Sequence, residues 1–170
     1  QDRSSAASDV YKRQALIDVL AAHQIKEGIL IALLKREKTG KGCHIKTTLE
    51  ETAIASLMNQ SSNYLMAEHN PKKLGTLHPN IAPYGDIINS MDGTKLILAI
   101  GTDKQFVSFC ELIKLNASID FNTNQKRVAK REELMKIIND KTSVLKSSWL
   151  LENCHNRYIP IGKIKTVGEV

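Results

Sequence analysis

Apolar residues Leu20, Ile25, Ile29, Leu30, Leu33 and Leu34 recur at mostly three- and four-residue steps, which is one face of a helix. Lys35, Arg36 and Lys38 place positive charge in its last turn, where the helix dipole favours it. Thr39-Gly40-Lys41-Gly42 then ends the helix, because glycine accepts the left-handed C-terminal conformation. Cys43 to Leu49 is short, partly β-branched and bounded by that turn, which predicts a strand. Glu50 to Met66 reads as a second helix, with Ala53, Ile54, Leu57, Met58, Tyr64 and Leu65 on a broad apolar face. Met58, Tyr64 and Met66 suit core or interface packing. Residues 69–83 carry Pro71, Pro79 and Pro83 with Asn70, Gly75 and Asn80, a composition that punctuates, so they form a connector. From Tyr84 the pattern changes to small α/β units. Tyr84–Asn89 and Lys95–Ile100 read as strands around Met91-Asp92-Gly93-Thr94, an Asp-Gly hairpin signal. Asp103 is placed to cap a helix through Leu115, with Phe106, Phe109, Cys110 and Ile113 inward. Helices at Lys126–Ile138 and Ser147–Asn156, the latter holding the lone Trp149, and a last strand at Ile159–Ile164 complete the pattern.

The chain has 170 residues, room for one domain or one and a small second. No apolar run approaches the ~20 residues of a membrane-spanning helix, and no secretory signal pattern is present. Cys43, Cys110 and Cys154 are widely spaced without a C-x-x-C pair. That argues against a disulfide framework or a zinc site and suits a reducing, cytoplasmic setting. His23, His44, His69, His78 and His155 show no metal-ligand spacing, so no metal site is expected. The net charge of +6 raises a nucleic-acid reading. Lys and Arg are however scattered among acids and lack interleaved aromatics, which favours a solvated mixed-charge surface with no nucleic-acid partner. The basic stretch Lys126-Arg127, Lys130-Arg131 and Lys136 reads first as a solvated helix face and second as a contact for a polyanionic ligand. Residues 1–14, Q-D-R-S-S-A-A-S-D-V-Y-K-R-Q, are Ser- and charge-rich and resemble a translated sequencing adapter. They are treated as a non-native leader, expected not to pack against the rest. Walker A, G-x-G-x-x-G, H-E-x-x-H and G-x-S-x-G motifs are absent from the sequence.

Asp18, just before the helical pattern, carries two compatible readings. It can cap the helix, accepting hydrogen bonds from free N–H groups of the first turn. It can also be a carboxylate nucleophile at a helix N-terminus, where the dipole favours its charge. His23, five residues later, suits packing or capping, or lines the same site. Cys43 reads as a small core residue, and Tyr84 as a packing residue.

Gly28-Ile29-Leu30-Ile31-Ala32-Leu33-Leu34-Lys35-Arg36-Glu37-Lys38-Thr39-Gly40-Lys41-Gly42, with Asp18 ten positions before Gly28, resembles the family III CoA-transferases, the CaiB/BaiF family. His78-Pro79-Asn80-Ile81-Ala82-Pro83-Tyr84, Asp92-Gly93 and Gly101-Thr102-Asp103-Lys104-Gln105-Phe106 follow in the family's order. Leu74-Gly75-Thr76-Leu77-His78-Pro79 is close to the family's linker, although Lys73 stands where Arg is frequent. The resemblance implies an α/β fold: residues 15–68 as the tail of a Rossmann-like large domain, 69–83 as linker and 84–170 as a small α/β domain. It implies an interlocked homodimer of the full-length protein, of which this chain is a fragment, inactive alone and exposing apolar surface from Leu20 to Leu34. It further implies that Asp18 is catalytic and that Leu49 lies near bound cofactor, although Leu49 is also an ordinary strand residue. No permanently bound cofactor is implied; CoA and acyl-CoA are substrates, and the partners are an acyl-CoA and a carboxylate acceptor. Ala22 replaces a glycine of formyl-CoA transferase, and that enzyme's Gly-rich closing loop has no counterpart, which weighs against oxalate or formate. The alternatives are an acyl-CoA racemase using the same Asp as acid or base, and a non-catalytic binding module built on Lys126 to Arg131.

Overall fold

The computed structural model describes residues 15–116 and 120–170, so the leader at 1–14 lies outside the described residues. The chain divides into two compact units, residues 1–73 and 74–170.

The first unit is helical among its described residues. Helix α1 spans Leu16–Thr39 and ends as its sequence dictates: Gly40 adopts φ 66°, and its N–H donates to the Arg36 carbonyl. The segment after it is irregular and has no sheet partner among the described residues. The strand expected at Cys43–Leu49 is therefore not formed, and Leu49 instead opens helix α2, Leu49–Ala55. The cause is a capping box: Thr48 Oγ1 accepts from the Glu51 N–H at 3.1 Å while Glu51 Oε2 accepts from the Thr48 N–H at 3.1 Å. The second expected helix is also two. Met58 takes φ 49° between α2 and α3, Asn59–Ala67, so its apolar positions do not share one continuous face.

The second unit contains the core. Strand β1, Tyr84–Asn89, pairs antiparallel with β2, Lys95–Ala99, and β2 with β3, Ile161–Lys163, giving the order β1-β2-β3. Ile88 faces Leu96 and Leu98 faces Ile161 in register. Alternation of side chains along a strand sends Ile88, Leu96 and Leu98 to one face, where all three are fully buried. Onto them pack Phe106, Phe109 and Cys110 of α4 (Asp103–Leu112), Leu134 and Ile138 of α6 (Arg131–Thr142), and Leu150 and Cys154 of α7 (Ser147–Asn156). Short α5, Asn124–Ala129, precedes α6, and Lys130 separates them where one helix was expected. The cap of α4 is Thr102 rather than Asp103: its hydroxyl accepts from the Gln105 N–H, and the Gln105 side chain returns to the Thr102 N–H. The mixed α/β class agrees with the expectation from sequence.

Candidate functional site

Asp18 is the third residue of α1, one turn later than a cap; Ala15 holds the cap position without a side-chain bond. The cap reading of Asp18 therefore fails, because the helix begins at Leu16, three residues earlier than a cap at Asp18 would place it. Asp18 remains in the first turn, where a negative charge meets the positive end of the helix dipole. Its carboxylate is exposed and makes no hydrogen bond or ion pair among the described residues. Ala22, one turn on along the same face, presents only a methyl group. His23 sits about 140° round the helix from Asp18 and is exposed, its Nδ1 3.2 Å from Lys26 Nζ. The helix does not bring the two onto one face.

Three contacts fix α1 against the segment that follows. Gln24 Oε1 accepts from the Thr47 hydroxyl at 3.3 Å and from the buried Thr52 hydroxyl at 2.9 Å. Gly28 lies against Ile45; a Cβ there would stand 2.9 Å from Ile45 Cγ2. A mid-helix glycine costs about 1 kcal/mol relative to alanine, and this close approach accounts for it. Asp18 thus stands about 9 Å along the axis from the Gln24 anchor. Leu49, the other expected site residue, is the first residue of α2 and 54% exposed. A cleft of about 150 Å³ lies along the other half of α1, lined by Ile29, Ala32, Leu33, Arg36, Cys43 and Ile45, and does not include Asp18. Cys43 is exposed there, not in a core.

The second unit holds a feature that sequence reading missed. Asn124, Arg127 and Arg131 grip the backbone of residues 78–83. Asn124 Oδ1 accepts from the Ala82 N–H at 3.1 Å and its Nδ2 donates to the Asn80 carbonyl at 2.7 Å. Arg127 is buried; it donates to the carbonyls of Ala82 at 2.8 Å and Phe121 at 3.1 Å and to Asp103 Oδ1 at 2.5 Å. Its guanidinium lies 4.4 Å from the Phe106 ring centroid. Arg131 donates to the carbonyls of His78 and Ile81. Arg127 and Arg131 are therefore not part of a solvated basic face: the donors of Arg127 and the Nη2 of Arg131 bond within the fold, while the buried Arg131 Nε has no hydrogen-bond partner among the described residues. Lys130 pairs with Asp120 at 2.8 Å. The signal available in the sequence was Asn124, Arg127 and Arg131 at i, i+3 and i+7, a one-sided helical spacing. The same segment is tied to β1: the His78 N–H donates to the Tyr84 carbonyl, and the two rings meet edge to face at 5.3 Å. Tyr84 packs there at the entry to the sheet.

Two carboxylates of this unit have opposite electrostatics. Asp92, in the hairpin turn, accepts from the Ser147 hydroxyl at 2.6 Å, the Ser90 hydroxyl at 2.6 Å and the Ser147 N–H at 3.0 Å. These donors, the Ser147 hydroxyl first, hold its pKa well below the usual carboxylate range. Asp86 is buried, and desolvation raises its pKa despite Arg131, whose Nε stands 3.9 Å from Oδ1. Burial also pushes the thiols of Cys110 to about 11 and Cys154 to about 12. No cluster of three metal-ligating side chains occurs among the described residues, and no helix among them is long and apolar enough to cross a membrane.

The sequence matches CoA-transferase family III over residues 4–170. It is 35% identical over 159 residues to the succinate–glutarate CoA-transferase of Agrobacterium fabrum, covering 92% of this chain and 39% of that protein. It is 32% identical to the human succinyl-CoA:glutarate CoA-transferase over 90% of this chain and 36% of that one. A CaiB/BaiF family protein from Brucella suis superposes with a TM-score of 0.68 at 35% identity, over 93% of this chain and 42% of that chain. The Mycobacterium tuberculosis protein Rv3272 shares the fold at a TM-score of 0.78 and 17% identity. The chain spans about two fifths of the length of these relatives. With the Asp18-to-Gly28 helix and the ordered later motifs in place, this protein belongs to CoA-transferase family III.

Proposed function

We propose that the full-length protein of this chain transfers CoA between an acyl-CoA and a free carboxylic acid, with Asp18 as nucleophile. The observation that carries the reading is the place of Asp18: an exposed carboxylate with no hydrogen-bond or ion-pair partner among the described residues, in the first turn of a helix whose sequence matches the family. The Asp18 carboxylate attacks the thioester carbonyl and expels CoA thiolate, leaving a mixed anhydride. The thiolate then attacks the aspartyl carbonyl, releasing the donor acid and forming an aspartyl-CoA thioester. The acceptor carboxylate displaces CoA from it to form a second anhydride. Attack of the thiolate on the acceptor acyl carbon completes the exchange and frees Asp18. No net oxidation, metal or permanent cofactor enters.

The relatives that act on succinate and glutarate support short dicarboxylic acids as the exchanged pair. Leu49, at the start of α2, is assigned to the surface near the bound CoA on family resemblance. Residues 15–68 belong to the large domain, 69–83 to the linker and 84–170 to the small domain, in a cytoplasmic protein whose chains interlock as dimers. The 170-residue chain, at two fifths of its relatives' length, is inactive by itself.

The test is exchange of labelled glutarate into succinyl-CoA by the protein at the length of its relatives. Asp18→Asn should abolish the exchange, since an amide is not a competent nucleophile. Undiminished exchange in that variant would remove Asp18 from the mechanism.

A further inference from the structure

Among the described residues, two buried side-chain atoms have no hydrogen-bond partner, Oδ2 of Asp86 and Nε of Arg131. They belong to one pair. Asp86 on β1 is 3% exposed, Arg131 at the start of α6 is 13% exposed, and Nε stands 3.9 Å from Asp86 Oδ1. A direct hydrogen bond spans about 2.7–3.2 Å, so the two residues face each other without touching. The orphaned atoms are complementary: Nε–H only donates, and an ionised carboxylate oxygen only accepts. Burying either one unmet is costly. The chain before β1 folds back over this place. The Thr76 hydroxyl donates to the Gly85 carbonyl at 2.7 Å, and the His78 N–H donates to the Tyr84 carbonyl at 2.9 Å. At Gly85, φ 79°, a Cβ would stand 1.8 Å from the Thr76 carbonyl oxygen, so the two stretches of backbone lie in contact.

We propose that one structural water molecule binds between Asp86 and Arg131, accepting from the Arg131 Nε–H and donating to Asp86 Oδ2. The chemistry of the two atoms selects water. The occupant must accept on one side and donate on the other. A metal cation accepts nothing and is repelled by the guanidinium; a simple anion donates nothing and is repelled by the carboxylate. A water does both, and two polar partners suffice to hold one in a buried site. The spacing fits as well: two legs of about 2.8 Å meeting at roughly 90–110° separate their ends by about 4–4.6 Å. The Thr76 hydroxyl is already committed to the Gly85 carbonyl and does not supply the missing donor. The water has a place in the architecture of the second unit. Arg131 Nη2 donates to the carbonyls of His78 and Ile81. With its Nε joined through water to Asp86, the guanidinium ties residues 78–83 to the first strand of the sheet. Both partners lie in the interior of the second unit, and the site is independent of the role of Asp18.

A high-resolution crystal structure of the 170-residue chain should show one density peak within about 3.2 Å of both Asp86 Oδ2 and Arg131 Nε, with the coordination of a water. A direct Nε–carboxylate contact, a gap without density, or a peak ligated as a metal or an anion overturns the proposal. In solution, rotating-frame Overhauser transfer from water to the Arg131 Nε–H should be present in the ¹⁵N-labelled parent with the sign of a bound water, opposite to that of chemical exchange. Its absence in the parent overturns the proposal without any variant. The transfer should be lost in Asp86→Leu, which fills the volume and removes the acceptor, with Trp149 fluorescence reporting that the variant is folded. Transfer of unchanged strength in folded Asp86→Leu also overturns the proposal, because its source then lies elsewhere.

Discussion

Replacing Arg127 by Met removes the hub of the clamp on residues 78–83 while keeping most of its volume. Two buried carbonyls, of Ala82 and Phe121, lose their Arg127 donors, at about 1–3 kcal/mol each. The contact over Phe106 at 4.4 Å adds about 1 kcal/mol. The Asp103 bond adds little, because that carboxylate is 62% exposed and rehydrates. Relief of the desolvation of the guanidinium offsets part of this, leaving a loss of about 3–5 kcal/mol, the range for breaking a buried charged network. The assay is urea unfolding followed by Trp149 in α7, within the same unit. With a slope of roughly 1–2 kcal/mol per molar, the midpoint should fall by about 2 M or more. Asp103→Asn should cost under about 1 kcal/mol, and Arg127→Lys should fall between, since an ammonium cannot reproduce the planar fork. A loss under 1 kcal/mol in Arg127→Met, or equal losses in the Arg127 and Asp103 variants, would refute the clamp.

The two unusual carboxylates should give pH profiles of opposite sign. Asp92 has a lowered folded pKa, so its contribution is present above about pH 4 and lost as pH falls through the folded value. The stability gap between parent and Asp92→Asn should be open at neutral pH and close in acid. Asp86 has a raised folded pKa, so its contribution is full below about pH 4 and lost as pH rises through the folded value. Asp86→Asn should therefore gain on the parent as pH rises, and parallel profiles for the two variants would contradict both assignments. Alkylation of the native chain at pH 8, read by peptide mass, should label exposed Cys43 rapidly and leave Cys110 and Cys154 unmodified. Equal labelling of all three would contradict their burial. Calorimetric titration of CoA into the 170-residue chain should show no micromolar binding; such binding would show that the chain holds a complete CoA site.

Much of the second unit was legible because its elements are set by local chemistry. Strand β1 forms where alternation and the Asp-Gly turn place it, and β2 stops one residue short of its expected end. Helix α1 ends at Gly40 for the reason its sequence gives. The errors arose where a polar signal outweighed an apolar pattern. Cys43 to Leu49 has strand composition, yet Thr48 and Glu51 close a capping box and start a helix at Leu49. Arg127 looked like surface because charge is usually solvated. Its burial depends on carbonyls 45 residues and six residues earlier, which no local pattern reveals. Asp18 was singled out by its ten-residue spacing to Gly28. The structure supplies a reason for that glycine, its contact with Ile45, while the residues that would surround the carboxylate in the longer relatives are a matter for the whole protein.

The most direct test of the central claim is chemical capture on Asp18 in the protein at the length of its relatives. With succinyl-CoA present, hydroxylamine should intercept the activated aspartyl carbonyl and leave a hydroxamate on the Asp18 peptide, read by mass. The signal should be absent without donor and absent in Asp18→Asn. If the peptide stays unmodified while the α-hydrogen of the acyl group exchanges with deuterated water in an Asp18-dependent way, Asp18 is an acid or base and the transferase assignment falls.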